Sequence, residues 1–194
     1  MEPEFSLLFI PQARADESSP VEQKNPREIT EKCFMDITVD GVDAGRIVLG
    51  LYGNAVPKTV KNFAVLCEGS QGLGYKGTEF YRVVSGLTVQ GGDVTGSHGK
   101  SGKSIYGSSF PAENYKVKHD VEGTLSMART KDGDVDSRFF ITTREDSGYL
   151  DGKFVALGRV IAGMEVVKRI EGVKATPPTN KPQKSILISN CGIL

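Results

Sequence analysis

Net charge is the first thing this 194-residue chain lacks, because 24 lysines and arginines balance 24 aspartates and glutamates mixed along its length. A broad attraction to nucleic acid or to an acidic membrane is therefore not expected, and only a local basic patch stays open. No apolar run approaches the roughly 20 residues of a spanning helix, so no membrane span is expected. Cysteine is scarce, and Cys33, Cys67 and Cys191 form an odd set without CxxC spacing. That argues against a zinc site or a disulfide framework and leaves one disulfide plus a free thiol open. The only histidines, His98 and His119, lie in polar segments without a partner pattern for nucleophilic catalysis or metal binding, and read as surface residues. No Asn-x-Ser/Thr sequon occurs, and Cys191-Gly192-Ile193-Leu194 is no ER-retention signal.

What is present, 38% hydrophobic and 25% charged residues, describes one globular domain large enough to bury a core. Two stretches imitate ligand loops and fail on inspection. In Gly96-Ser97-His98-Gly99-Lys100-Ser101-Gly102-Lys103-Ser104, Ser97 stands where a phosphate loop needs its first glycine, and no helix pattern follows. In Asp132-Gly133-Asp134-Val135-Asp136, Ser137 and Thr143 replace the glycine and glutamate of a calcium loop, so a solvated acidic loop is the better reading.

Residues 1–30 read as a flexible leader, and 31–194 as the domain. Ser6 to Ile10 followed by Gln12-Ala13-Arg14-Ala15 resembles the tail of a signal peptide cut after Ala15, which would place the protein in the secretory pathway, in the ER lumen or outside the cell. The apolar run is short and Met1-Glu2-Pro3-Glu4 is acidic, so a signal remnant behind a non-native start and a cytosolic tail both stand. Residues 16–30, rich in Ser, Pro, Glu, Lys and Asn, lack apolar periodicity.

Within the domain, Cys33–Val39 and Arg46–Tyr52 are strand-like runs, and Asp40 to Gly45 between them predicts a hairpin loop longer than the minimal turn. Pro57 opens a helix whose Val56, Val60, Phe63, Ala64 and Cys67 recur at helical spacing until Gly69. Residues 96–120 are a structured or functional loop. Leu125–Ala128, Phe139–Thr143, Phe154–Ile161 and Ser185–Cys191 are further strands, and Gly163–Glu171 a second amphipathic helix. Many short strands with two helices predict a mainly-β fold, a closed antiparallel barrel.

The stretch that organises the rest is 78–95. Phe80–Val84 and Leu87–Val89 read as two strands meeting at Ser85-Gly86, and period two sets Phe80, Arg82 and Val84 on one face, a guanidinium on an apolar surface. Gln90 adds an amide beside Gly91-Gly92, a pair that allows a bulge or a close backbone approach.

Phe80-Tyr81-Arg82-Val83-Val84, Val89-Gln90-Gly91-Gly92-Asp93 and Gly102-Lys103-Ser104-Ile105-Tyr106-Gly107 resemble the central block of the cyclophilins, the peptidyl-prolyl cis-trans isomerases. The likeness continues through Phe110-Pro111-Ala112-Glu113-Asn114, Leu125-Ser126-Met127-Ala128, Phe139 to Thr143 and Leu150-Asp151-Gly152-Lys153, and spans about residues 31–194. It implies eight strands closed into a barrel with a helix over each end. It also implies a monomer needing no cofactor that binds proline-containing peptides or unfolded chains and catalyses X-Pro rotation. By the same resemblance Arg82, Gln90 and Phe140 are catalytic, with Gln90 orienting Arg82 and the substrate carbonyl. Leu87, Thr88, Ala128, Arg129, Arg138, Tyr149, Leu150 and Phe154 hold substrate, and Phe140, Leu150 and Leu87 wall the proline pocket.

Departures from the family pattern reshape that pocket. Leu87 replaces phenylalanine, Thr88 methionine, Tyr149 tryptophan after a one-residue insertion in 144–148, Phe154 histidine and Tyr81 histidine. Arg129 and Arg138 replace asparagine and glutamine, and both are expected to lean toward Asp132, Asp134 and Asp136, away from Arg82. Cyclosporin-type ligands are expected to bind weakly, because a tyrosine hydroxyl points differently from an indole N–H. Two functions compete at this point: an active isomerase of altered peptide preference, and a non-catalytic proline-peptide binder, chaperone or scaffold subunit.

Overall fold

The computed structural model describes residues 24–194, so the signal-peptide remnant and residues 1–23 of the leader lie outside the described residues. Within residues 25–30 the chain already bonds to the body of the fold. Arg27 pairs with Asp120 at 2.9 Å, and the Thr30 N–H donates to the Leu51 carbonyl at 2.9 Å.

The first hairpin follows from alternation. In β1 (Glu31–Val39) Cys33, Met35 and Ile37 are fully buried, and in β2 (Val42–Leu51) Ala44, Ile47, Leu49 and Leu51 face the same core. Its turn is the minimal one, Asp40-Gly41, both with positive φ (49° and 78°), which corrects the expected long loop. Asp43 to Gly45 look like loop residues only because a β-bulge sits there: Ile37 pairs with Gly45 and Thr38 with Asp43, leaving Ala44 unmatched. Gly45 is required, since a Cβ on it would stand 2.8 Å from a Val166 methyl.

Helix α1 (Pro57–Glu68) starts on proline and stops where Gly69 takes φ 71°. Val56 offers no capping side chain, so Glu113 from the long 96–120 loop does that work, accepting from the Lys58 and Thr59 N–H groups at 3.1 and 2.6 Å. Helix α2 (Met164–Glu171) buries Val166, Val167 and Ile170.

The remaining strands are β3 (Arg82–Val84), β4 (Thr88–Gly91), β5 (Thr124–Arg129), β6 (Val135–Thr142), β7 (Val155–Ala162) and β10 (Ile186–Ile193). With β1 and β2 they form one strongly curled antiparallel sheet in the order β10-β1-β2-β7-β5-β6-β4-β3, and the short β8 (Ala175–Thr176) and β9 (Lys181–Pro182) pair separately. Just before β3, the Gly77 and Phe80 N–H groups donate to the β10 carbonyls of Ile188 and Ile186 at 2.7 and 2.9 Å.

The core centres on Phe63, Tyr75, Phe80 and Phe139, with ring centroids 5.0–5.8 Å apart. Phe80 therefore does not share a face with Arg82, contrary to the period-two reading. The strand begins only at Arg82, and the irregular residues before it let Phe80 turn inward beside Val83. The acidic loop is corrected as well. β6 begins at Val135, four residues earlier than expected, and Asp136 is 2% exposed on that strand.

Candidate active site

Strand register builds the site. Arg82 on β3 lies opposite Gln90 on β4, Gln90 opposite Phe140 on β6, and Phe140 opposite Ser126 on β5. Residues directly opposite share a sheet face, so these four form one row while Val83, Val89, Phe139 and Ile141 point into the core. Above the row opens a groove of about 440 Å³. Every residue that the resemblance assigned to the site lines it: Arg82, Gln90, Phe140, Leu87, Thr88, Ala128, Arg129, Arg138, Tyr149, Leu150 and Phe154.

The floor is apolar. Phe140 is 3% exposed and meets Phe154 edge-on at 5.2 Å, with Leu150 also buried and Tyr149 half exposed at the rim. Among the described residues no carboxylate forms an ion pair with Arg82. The Gln90 amide donates to the Thr88 hydroxyl at 3.4 Å, so Arg82 and Gln90 meet by cross-strand position and not by a mutual bond. Burial pushes the Tyr81 hydroxyl up to about 12, and this ring packs so closely on Gly99 that a Cβ there would lie 2.3 Å from it.

The two extra arginines behave differently from one another. Arg138 is drawn to Asp136 as expected, donating to both carboxylate oxygens at 2.7–3.2 Å and to the Gly99 carbonyl at 2.8 Å. Arg129 is not drawn to the acidic residues. Its guanidinium lies over the Phe154 ring, 5.3 Å from the centroid, and pairs with none of Asp132, Asp134 and Asp136; Asp136 is held by Arg138, and Asp134 accepts from Ser109 at 2.9 Å.

His119 is the functional candidate that the sequence reading missed. It is fully buried, whereas His98 is largely exposed beside Glu79. Its Nδ1 faces Asp151 at 2.9 Å and its Nε2 faces the Ser126 hydroxyl at 3.0 Å. A carboxylate can only accept, so Nδ1 carries the proton and Nε2 accepts from Ser126. The ring stacks on Phe140 at 6.3 Å, and the Ser147 N–H donates to the His119 carbonyl at 2.8 Å. One side chain thus ties the 147–154 wall to the Phe140 floor. Desolvation lowers its pKa, outweighing the Asp151 carboxylate. The polar flanks Lys118 and Asp120 hide this residue in the sequence; the one available signal was alternation with Val117, which is also buried.

The sequence profile described as cyclophilin type peptidyl-prolyl cis-trans isomerase/CLD matches residues 34–193. The chain belongs to the cyclophilin family. It is 48% identical over 172 residues to peptidyl-prolyl cis-trans isomerase CYP21-1 of Arabidopsis thaliana, a match covering 85% of this chain and 76% of that one. Peptidyl-prolyl cis-trans isomerase B of Saccharomyces cerevisiae is 46% identical over 165 residues, 84% of this chain and 80% of its own. Peptidyl-prolyl cis-trans isomerase cyp11 of Rhizopus delemar is 44% identical over 86% of this chain, which spans about half (51%) of that protein. In this cyclophilin the Arg82–Gln90–Phe140 row lies on three neighbouring strands, while the replaced residues Leu87, Thr88, Arg129, Arg138, Tyr149 and Phe154 stand around it.

Proposed function

We propose that this protein is a peptidyl-prolyl cis-trans isomerase that takes proline-containing segments of peptides and unfolded chains into the Phe140 groove and turns the X-Pro bond without covalent chemistry. Rotation is opposed by roughly 18–20 kcal/mol because the imide nitrogen shares its lone pair with the carbonyl. A catalyst needs an apolar seat for the ring and a donor that becomes a better partner as the twisted nitrogen localises its lone pair. Phe140, Leu150 and Leu87 supply the seat. Arg82 supplies the donor, a planar fork of N–H groups that can also hold the adjacent carbonyl. Gln90 holds the flanking carbonyl. One well-aimed donor in a site that excludes water contributes about 3 kcal/mol, roughly a hundredfold in rate.

One observation carries this reading: a guanidinium free of any ion pair among the described residues stands in a row with an amide and a buried aromatic floor. Arg138 paired with Asp136 favours catalysis over a blocked, non-catalytic groove, since the cation is neutralised locally. The replacements at 87, 88, 129, 149 and 154 support an altered peptide preference and weak cyclosporin binding. The bonds from Gly77 and Phe80 to β10 support closure of the curled sheet into a barrel. We further infer a monomer and, from residues 6–15, a secretory location.

The test is a refolding assay on a protein whose slow phase is limited by proline isomerisation. Catalytic amounts are expected to accelerate that phase. A phase unchanged at stoichiometric amounts, with peptide binding retained, would establish the non-catalytic binder instead.

A further inference from the structure

Three arginines line the groove, and they differ in what holds their charge. Arg138 is neutralised by buried Asp136, and Arg82 faces the Gln90–Phe140 row. Arg129 is exposed at the end of β5, steered by the Phe154 face, and among the described residues no carboxylate pairs with it. Phe154 meets Phe140 edge-on, so this guanidinium rests on the second ring of the groove itself. Sheet order puts the two free cations on opposite sides of Phe140: β4 and then β3 with Arg82 on one side, β5 with Arg129 on the other. A chain whose proline sits on Phe140 with its imide nitrogen toward Arg82 therefore sends a flanking residue past Arg129.

We propose that Arg129 makes this groove select X-Pro segments that carry an aspartate or glutamate side chain next to the proline, an inference that rests on the proline-binding reading above. The guanidinium over the Phe154 face has N–H groups left to offer a carboxylate as a fork. A lysine at the same substrate position meets two uncompensated cations, Arg129 and Arg82, and is disfavoured. Because Arg129 is exposed, the gain is that of a partly screened pair, on the order of two- to fivefold in kcat/KM.

The experiment compares pentapeptides with Glu, Gln or Lys immediately before or after proline, using exchange NMR for turnover and chemical-shift titration for Kd. Wild-type protein, Arg129→Asn and Arg129→Lys are measured at low salt and at about 0.5 M salt. The expected order is Glu over Gln over Lys at one of the two positions. The Glu/Gln ratio should fall to about one in Arg129→Asn, survive in part in Arg129→Lys and shrink in salt. Equal Glu and Gln values at both positions in wild type, or a ratio that persists in Arg129→Asn, would overturn the proposal. If wild type turns over none of the peptides, the isomerase reading fails separately, and the Kd ratios decide on Arg129 by the same criteria.

Discussion

A guanidinium in a groove does one of two jobs here, and its nearest carboxylate decides which. Arg138 spends its donors on Asp136, a carboxylate only 2% exposed, and on the Gly99 carbonyl. Removing one partner of a buried pair strands the other charge, so Arg138→Gln is expected to lower stability by about 3 kcal/mol. Denaturant unfolding reads this directly, and an unchanged midpoint would mean that Asp136 finds water instead. Among the described residues Arg82 has no such partner, so its truncation should cost activity and leave the fold alone. Arg82 and Gln90 stood out in the sequence as a charge and an amide among β-branched and aromatic residues, whereas Phe140 was singled out by the resemblance to the cyclophilins alone. The fates of the two extra arginines were only half legible, because nothing in the chain order says that Asp136 pairs with Arg138 alone while Phe154 captures Arg129.

The 147–154 segment is the element through which the buried histidine reaches the groove. Its short helical turn (Gly148–Leu150) leads to Asp151, which accepts from both the backbone N–H and the ring of His119. Burial lowers the His119 pKa from 6.5, with Asp151 and Asp120 opposing that shift and Lys118 reinforcing it. The unfolded chain therefore takes up a proton at a higher pH than the native one, and stability must fall as pH drops below about 6.5 through the lowered native value. The Asp151 pKa is lowered as well. Burial alone would raise it, but the His119 hydrogen bonds and Lys118 hold it below the usual carboxylate range, so its share of stability is lost only in stronger acid. Thermal melts from pH 7.5 to 5 should show this loss in wild type and a flatter profile in His119→Gln. Equal slopes would remove His119 from the account. Sequence reasoning placed this element as a wall of the pocket but not its clip, since a polar-flanked histidine looks the same whether it faces water or a buried aspartate.

At the scale of the whole molecule, one curled sheet brings residues more than 150 positions apart into register, as Cys33 opposite Ile193 in β1 and β10. Strand positions were legible from alternation, but the order β10-β1-β2-β7-β5-β6-β4-β3 was not, because pairing is decided by which faces must be covered together. All three cysteines are free thiols, and burial pushes Cys67 well above its ordinary range and Cys191 to about 11. Reductant should therefore leave the melting temperature unchanged, and a drop would reveal a disulfide bridging these elements. The central claim, that a lone guanidinium over an apolar floor turns X-Pro bonds, is tested most directly by exchange NMR on an Xaa-Pro peptide. Wild type is compared with Arg82→Ala, with circular dichroism as the control for folding. The account predicts cis/trans exchange accelerated by wild type and slowed about a hundredfold in Arg82→Ala at an unchanged melt. Equal exchange rates for the two folded proteins would contradict it.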